Sequence, residues 1–174
     1  MNKFNKKIFT YSMFKEELPD VLRRLPIFLS AYIKCRLKKS FVQKIMLAVS
    51  AINGCTYCTW FHGKMALLLS EMDLKTIENI LKTELGQGLS EYEIVGLAYA
   101  QHYATTNRKP DPEATQILYD YYGKKKAEDI IACIDMIHFA NLAGNTFDAL
   151  MYRLKDVHTI HQWVGQTMKR LLPH

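Results

Sequence analysis

Cys55 and Cys58 are separated by two residues, and His62 follows the second cysteine by four, inside AVSAINGCTYCTWFHGKMA, residues 48–66. If a helix starts near Cys55, all three side chains fall on one face, because positions three and four apart are neighbours on a helix surface. Redox chemistry needs that arrangement. A free thiol has a pKa of about 8.5 and is mostly protonated at neutral pH, and only the thiolate attacks. A helix N-terminus favours an anion, and a histidine one turn away can take the thiol proton directly or through water. Once one cysteine becomes a sulfenic acid, a second thiol within reach condenses with it to a disulfide. The residue types of an activated cysteine, a resolving cysteine and a proton carrier are therefore present within eight residues. Two other readings use the same residues. Zinc would take Cys55, Cys58 and His62, with Cys133 or His138 as a fourth ligand. Alternatively, the pair is a chance occurrence of inert thiols.

Other reactive side chains are weaker candidates. Cys35 and Cys133 stand alone in helical runs and read as packed thiols. His138, beside Met136 and Phe139, reads as a core or interface histidine, and His158 with His161 as a surface pair near the C-terminus. Trp60 and Phe61 flank the motif. They suit core or subunit packing, or an apolar wall that admits organic hydroperoxides, to which Tyr99 and Tyr103 would add. No GxGxxG, Walker-type, HExxH or GxSxG motif is present, so nucleotide cofactors and serine hydrolysis lack support. No cofactor and no resident metal are expected.

The elements that must position these residues read as helices. Leu22, Leu25, Leu29 and Ile33 recur at helical spacing from Asp20 to about Arg36, with Pro26 predicting a kink or restart. Residues 1–18 read as irregular or partly helical. Ser40 is a candidate cap for a helix carrying Val42, Ile45, Met46 and Val49, which Asn53-Gly54 ends. The next helix runs from near Cys55 to about Leu69. Asp73 caps another, which ends by Gly86, and Ser90 with Glu93 forms a capping box. Asp111-Pro112 opens a helix that stops at Gly123. A long helix from Ala127 to about Leu154 bends or splits near Gly144, and the tail around Trp163 forms a last short helix. No alternating strand is legible. The fold class is all-α: residues 1–37 an N-terminal helical extension, 38–155 the core domain, 156–174 a C-terminal tail.

Composition narrows the setting. The chain has 174 residues, enough to bury a core without disulfide staples, with 49% hydrophobic and 23% charged residues. Net charge is +6, spread over several lysine groups, without the arginine and aromatic stripe of a nucleic-acid surface. Lys15, Glu16 and Glu17 interrupt any leader after Lys6 and Lys7, and no run of about 18 apolar residues is present. A cytoplasmic protein without membrane or nucleic-acid partners is expected. Four cysteines in a reducing compartment point to catalysis rather than scaffolding.

These residues resemble a family. AVS, the Asn-Gly turn, CxYC and a histidine four residues on are similar to the core of the AhpD-like alkylhydroperoxidase family of the carboxymuconolactone decarboxylase superfamily. GLSEYEIVGLAYAQHYA, residues 88–104, and DIIACIDMIHFANLAGNTFDAL, residues 129–150, extend the resemblance over roughly residues 38–152. It implies an all-helical bundle that assembles as a homo-oligomer, a trimer or hexamer. It implies that Cys58 attacks peroxide, Cys55 resolves and His62 relays the proton. It also implies a peroxide or disulfide substrate, with electrons from a dithiol, such as a lipoyl group on a partner protein. The chain departs from the pattern at Gln43, which occupies the place of the relay carboxylate. It also departs at Tyr57, where some of these peroxidases carry a histidine. A glutamine cannot take up a proton but can orient His62 or a water. That weighs against rapid peroxide turnover and leaves thiol–disulfide exchange intact. Two rival classes are a decarboxylase or lactone-processing enzyme of the same superfamily, a branch that does not depend on a CxxC pair, and a non-enzymatic zinc-stabilised or redox-sensing module. Glu16 or Glu17 is a substitute carboxylate if the N-terminal extension reaches the site.

Overall fold

The computed structural model describes residues 6–70 and 72–153, with the side chains of 69, 70 and 153 left aside. Every element among them is a helix. Helix α1 is Tyr11–Ile33, α2 Lys39–Asn53, α3 Thr56–Ser70, α4 Leu74–Leu81, α5 Glu91–Thr105 and α6 Pro112–Arg153. His158, His161 and Trp163 lie outside the described residues, as does the helix expected in the tail.

Helix α2 is the element around which the rest is built. Phe41 through Ser50 are all buried, and a helix buried on every side belongs to a core rather than a surface. Its neighbours are α3, α4, α5 and α6. Phe41, Ile45, Leu47 and Val49 meet Ile80, Leu97, Leu118, Ile130 and Ile134 in one continuous apolar cluster. Local chemistry sets the surrounding ends. Asp73 accepts the Thr76 amide at 2.6 Å and starts α4. Ser90 and Glu93 close the expected capping box on α5. Ser40 does not cap α2. The helix begins at Lys39, and no side chain caps it.

Two further expectations are corrected. Helix α1 begins at Tyr11, nine residues before Asp20, because the Thr10 hydroxyl accepts the Met13 amide. It continues through both Pro19 and Pro26. Its apolar stripe does not face the core. Leu22 is 58% exposed and Ile33 76%, whereas Glu17, Val21 and Ala31 are buried. In α6 the break is at Gly123 (φ 72°, ψ 158°), with no non-helical residue at Gly144. The described residues Pro112–Tyr152 are long and apolar enough to cross a membrane, yet 61% of their most apolar window is buried inside the fold. Such burial is that of a core helix.

Gly96 of α5 lets that helix close on α2 and α6. A Cβ there would meet Phe41 Cζ at 2.6 Å and the Tyr122 hydroxyl at 2.9 Å. Both neighbours are ring atoms held in the core, so neither gives way without repacking. Gly96→Ala is expected to lower stability by about 1–3 kcal/mol, measured by urea unfolding. An unchanged midpoint would show that the α2–α5 seam is looser than this packing.

Candidate active site

Asn53, Gly54 and Cys55 form the turn that presents the motif. Gly54 adopts the left-handed conformation (φ 68°), and the Cys55 amide reaches back to Ser50 O at 3.1 Å. This is a Schellman closure, and glycine meets its positive φ without steric cost. The chain leaves α2 and starts α3 with two residues between them, Gly54 and Cys55. Cys55 directly precedes α3. Its carbonyl accepts the Thr59 amide at 2.9 Å, and its Sγ accepts the Cys58 amide at 3.4 Å. Cys55 thus occupies the N-cap of α3, with sulfur in the role that a serine or aspartate oxygen usually plays.

Cys55 and Cys58 are joined as a disulfide, with Cα atoms 5.4 Å apart. Cys55 is 1% exposed, while Cys58 is half-buried. Access from solvent is therefore through Cys58. His62 lies one turn further along α3. Its Nδ1 is 2.7 Å from Oε1 of Gln43, a buried residue of α2. A carbonyl oxygen only accepts, so Nδ1 donates and Nε2 is left as the ring's acceptor. Phe61 meets the imidazole edge-on at 5.1 Å. Burial pushes the His62 pKa down to about 4, so the ring is neutral at physiological pH. The four residues singled out from the sequence, Gln43, Cys55, Cys58 and His62, thus share the α2–α3 hairpin.

Other candidates are placed elsewhere. Cys133 is buried, and burial with Asp129 nearby pushes its thiol up to about 12. Cys35, expected to be packed, is exposed in the turn after α1. Trp60 and Phe61 are each 37% exposed on the outer side of α3, so they are not core. Tyr99, Tyr103, Glu16 and Glu17 do not join the cysteines. They line a separate cavity between α1, the end of α5 and the start of α6. Among the described residues no group of three or more His, Cys, Asp or Glu side chains gathers to hold a metal.

A buried polar layer behind the cysteine turn escaped the sequence reading. Asn53 Nδ2 lies 3.2 Å from His138 Nδ1. Ser50 Oγ donates to Met46 O at 2.7 Å and lies 3.1 Å from Asn141 Oδ1. Asn145 Nδ2 lies 2.8 Å from Asn53 O and 2.9 Å from Lys7 O. A Cβ on Gly144 would lie 3.8 Å from Cys55 Sγ, so α6 passes directly behind the pair. The signal was legible: His138, Asn141, Asn145 and Asp148 recur at helical spacing inside an apolar helix.

None of the family models, curated proteins or solved structures compared with the chain matches it.

Two neutral histidines, His138 buried and His62 half-buried, make a pH prediction. His138 is fully buried, and burial, with Arg108 and Lys7 adding to it, lowers its pKa to about 4, as burial does for His62. An unfolded histidine titrates near 6.5, so between those values the unfolded chain binds more protons than the folded one. Stability from this source is full above about pH 6.5 and falls as pH drops toward 4, by at most about 1.4 kcal/mol per pH unit for each histidine. Urea unfolding at pH 7, 5.5 and 4.5 checks it. A flat profile would mean that both rings can be protonated in the folded state.

Proposed function

We propose that the chain is a thiol-dependent peroxidase or disulfide reductase of the AhpD-like kind. The observation that carries this reading is the Cys55–Cys58 pair at the start of α3, with a half-buried outer sulfur and a histidine one turn on whose tautomer is fixed by Gln43. In the reduced enzyme, His62 Nε2 takes the Cys58 proton, directly or through water. The thiolate attacks the outer oxygen of a hydroperoxide. The O–O bond breaks, Cys58 becomes a sulfenic acid, and the alkoxide leaves as an alcohol after taking a proton. Cys55 then attacks the Cys58 sulfur, a disulfide forms and water departs.

A dithiol donor closes the cycle. Its thiolate attacks the accessible Cys58 sulfur, and Cys55 leaves as a thiolate held by the Cys58 amide and the α3 N-terminus. The donor's second thiol frees Cys58. In sum, one hydroperoxide and one dithiol give an alcohol, water and a cyclic disulfide. With a substrate disulfide in place of peroxide, the same pair runs as a reductase. A lipoyl group on a partner protein is a donor of this chemistry, and a cytoplasmic setting would keep it reduced. A neutral His62 with a pKa near 4 is a weak base, which favours the exchange reaction over fast peroxide turnover.

Exposed apolar residues support a homo-oligomer, a trimer or hexamer by the resemblance. Leu22, Leu25, Leu29 and Ile33 form a stripe on α1 left open in one chain, and α3 adds Trp60, Phe61 and Leu68.

Cys58→Ser is expected to lose peroxide consumption with a dithiol donor by at least about a hundredfold, and unchanged consumption would sink the assignment. If the wild type consumes no peroxide but reduces a model disulfide, the reductase form holds. Gln43→Glu is expected to raise the His62 pKa by about 1–3 units, since a carboxylate then faces the ring. Peroxide turnover should rise several-fold with it. A histidine NMR titration and a peroxide assay on the same sample read both quantities, and a raised pKa without faster turnover would remove His62 from the proton path.

A further inference from the structure

A cavity of about 640 Å³ lies away from the cysteine pair. It lies between α1, the 106–110 loop and the first half of α6. Its floor is an ion-pair cluster. Arg108 Nε lies 3.2 Å from Asp135 Oδ1 and 3.2 Å from the Tyr103 hydroxyl. Arg24 Nε lies 3.0 Å from Asp135 Oδ2. The Tyr103 hydroxyl donates to the same Asp135 carboxylate. Both arginines thus reach Asp135, and Lys109 joins them in the cavity lining.

Two buried carboxylate oxygens of this cluster lack a hydrogen-bond partner, Asp135 Oδ2 and Glu17 Oε2, and of these two residues only Glu17 lines the cavity. It is 6% exposed and lines the cavity, and its Oε2 has no hydrogen-bond partner. The nearest cation is Arg108, whose Nη1 lies 3.5 Å from that oxygen, while its Nε faces Asp135 and Tyr103 and its Nη2 lies 3.5 Å from Asp20. Asp20 is further occupied on the solvent side by Arg23. A buried carboxylate oxygen without a donor is costly. Burial and the neighbouring carboxylates accordingly raise the Glu17 pKa. Tyr99, Tyr103 and Tyr119 supply aromatic wall to the same cavity, and aromatic faces beside carboxylates suit organic cations.

We propose that this cavity is a second ligand site, independent of the cysteine pair, which takes a small organic ammonium with its N–H groups on Glu17 and its apolar body against the tyrosines. A neutral molecule would add no charge opposite Glu17 beyond Arg108 at 3.5 Å, and a carboxylate would bring a further negative charge against Glu16, Glu17 and Asp20.

The test is calorimetric titration of the full chain with three probes of one shape: tyramine, neutral 4-ethylphenol, and 3-(4-hydroxyphenyl)propionate. Tyramine is expected to bind with a Kd of about 1 mM or tighter, as its size allows, and at least about tenfold tighter than either other probe. Glu17→Gln should weaken tyramine by about tenfold or more while keeping the helical circular dichroism, and Cys58→Ser should leave its binding unchanged. Equal binding of 4-ethylphenol reduces the site to an apolar cleft and overturns the proposal. Preference for the propionate, or no tyramine binding up to about 10 mM, overturns it as well. If Glu17→Gln does not fold, the tyrosine ring signals of the wild type decide: no shift with tyramine rejects the site.

Discussion

The geometry of the cysteine pair depends on one hydrogen bond, from the Cys58 amide to Cys55 Sγ. A helix begins with N–H groups that have no partner in the helix itself. Here a sulfur takes one of them. Cys55 therefore caps α3, and in the proposed redox cycle the same partial positive charge would hold its thiolate. The cap also separates the two sulfurs by environment. Cys55 is sealed against α6 near Gly144 and Cys58 is half-buried, so in the proposed cycle attack and departure would fall on different atoms. Gly54 makes this possible, because its left-handed turn compresses the passage from α2 to α3 into two residues.

In the proposed cycle the proton path would rest on a second contact, between Gln43 and His62. A carboxylate at this place would fix the tautomer and also stabilise the imidazolium. Glutamine fixes the tautomer alone. The ring then feels only its burial, and its pKa falls to about 4. The site keeps the direction of the histidine while giving up much of its basicity. Thiol–disulfide exchange suffers less from that loss, since incoming thiols supply their own anion and the departing Cys55 is stabilised by the helix start rather than by a base.

Much of the bundle was legible because local signals are strong where caps and glycines coincide. Asn53-Gly54, Asp73, Ser90 with Glu93, and Asp111-Pro112 each mark an end that the structure reproduces within a residue or two. The pairing of Cys55, Cys58 and His62 follows from spacing alone, since it lies within one helix. What failed was long-range. Periodicity shows that Leu22, Leu25, Leu29 and Ile33 share a face but not which way the face points, and here the core takes Glu17, Val21 and Ala31 instead. Tyr99 and Tyr103 sit on the helix that packs against α2, yet their rings turn away to Thr115 and Asp135. Side-chain spacing on α5 could not reveal a partner on α6.

Helix α6 explains why an apolar core tolerates so many polar groups. Asp135, His138, Asn141, Asn145 and Asp148 follow one stripe, and each meets a partner supplied by another segment. Asp135 holds Arg24, Tyr103 and Arg108 at the cavity. His138 and Asn141 hold Asn53 and Ser50 behind the cysteines. Asn145 bridges the carbonyls of Asn53 and Lys7, and Asp148 pairs with Lys6 at 2.7 Å. An apolar stripe would bury as much surface but would let the helix slide or rotate against α2. Directional bonds at this spacing admit one register, so the backbone at Gly144 is delivered to Cys55 and the Asn53 turn is pinned from behind. The stripe also joins the cysteine turn to the acidic cavity through the edge-on contact of Tyr103 with His138, with ring centroids 6.2 Å apart. The cysteine turn and the cavity beside α1 thus rest on one helix, and the position of each is set by polar side chains along it.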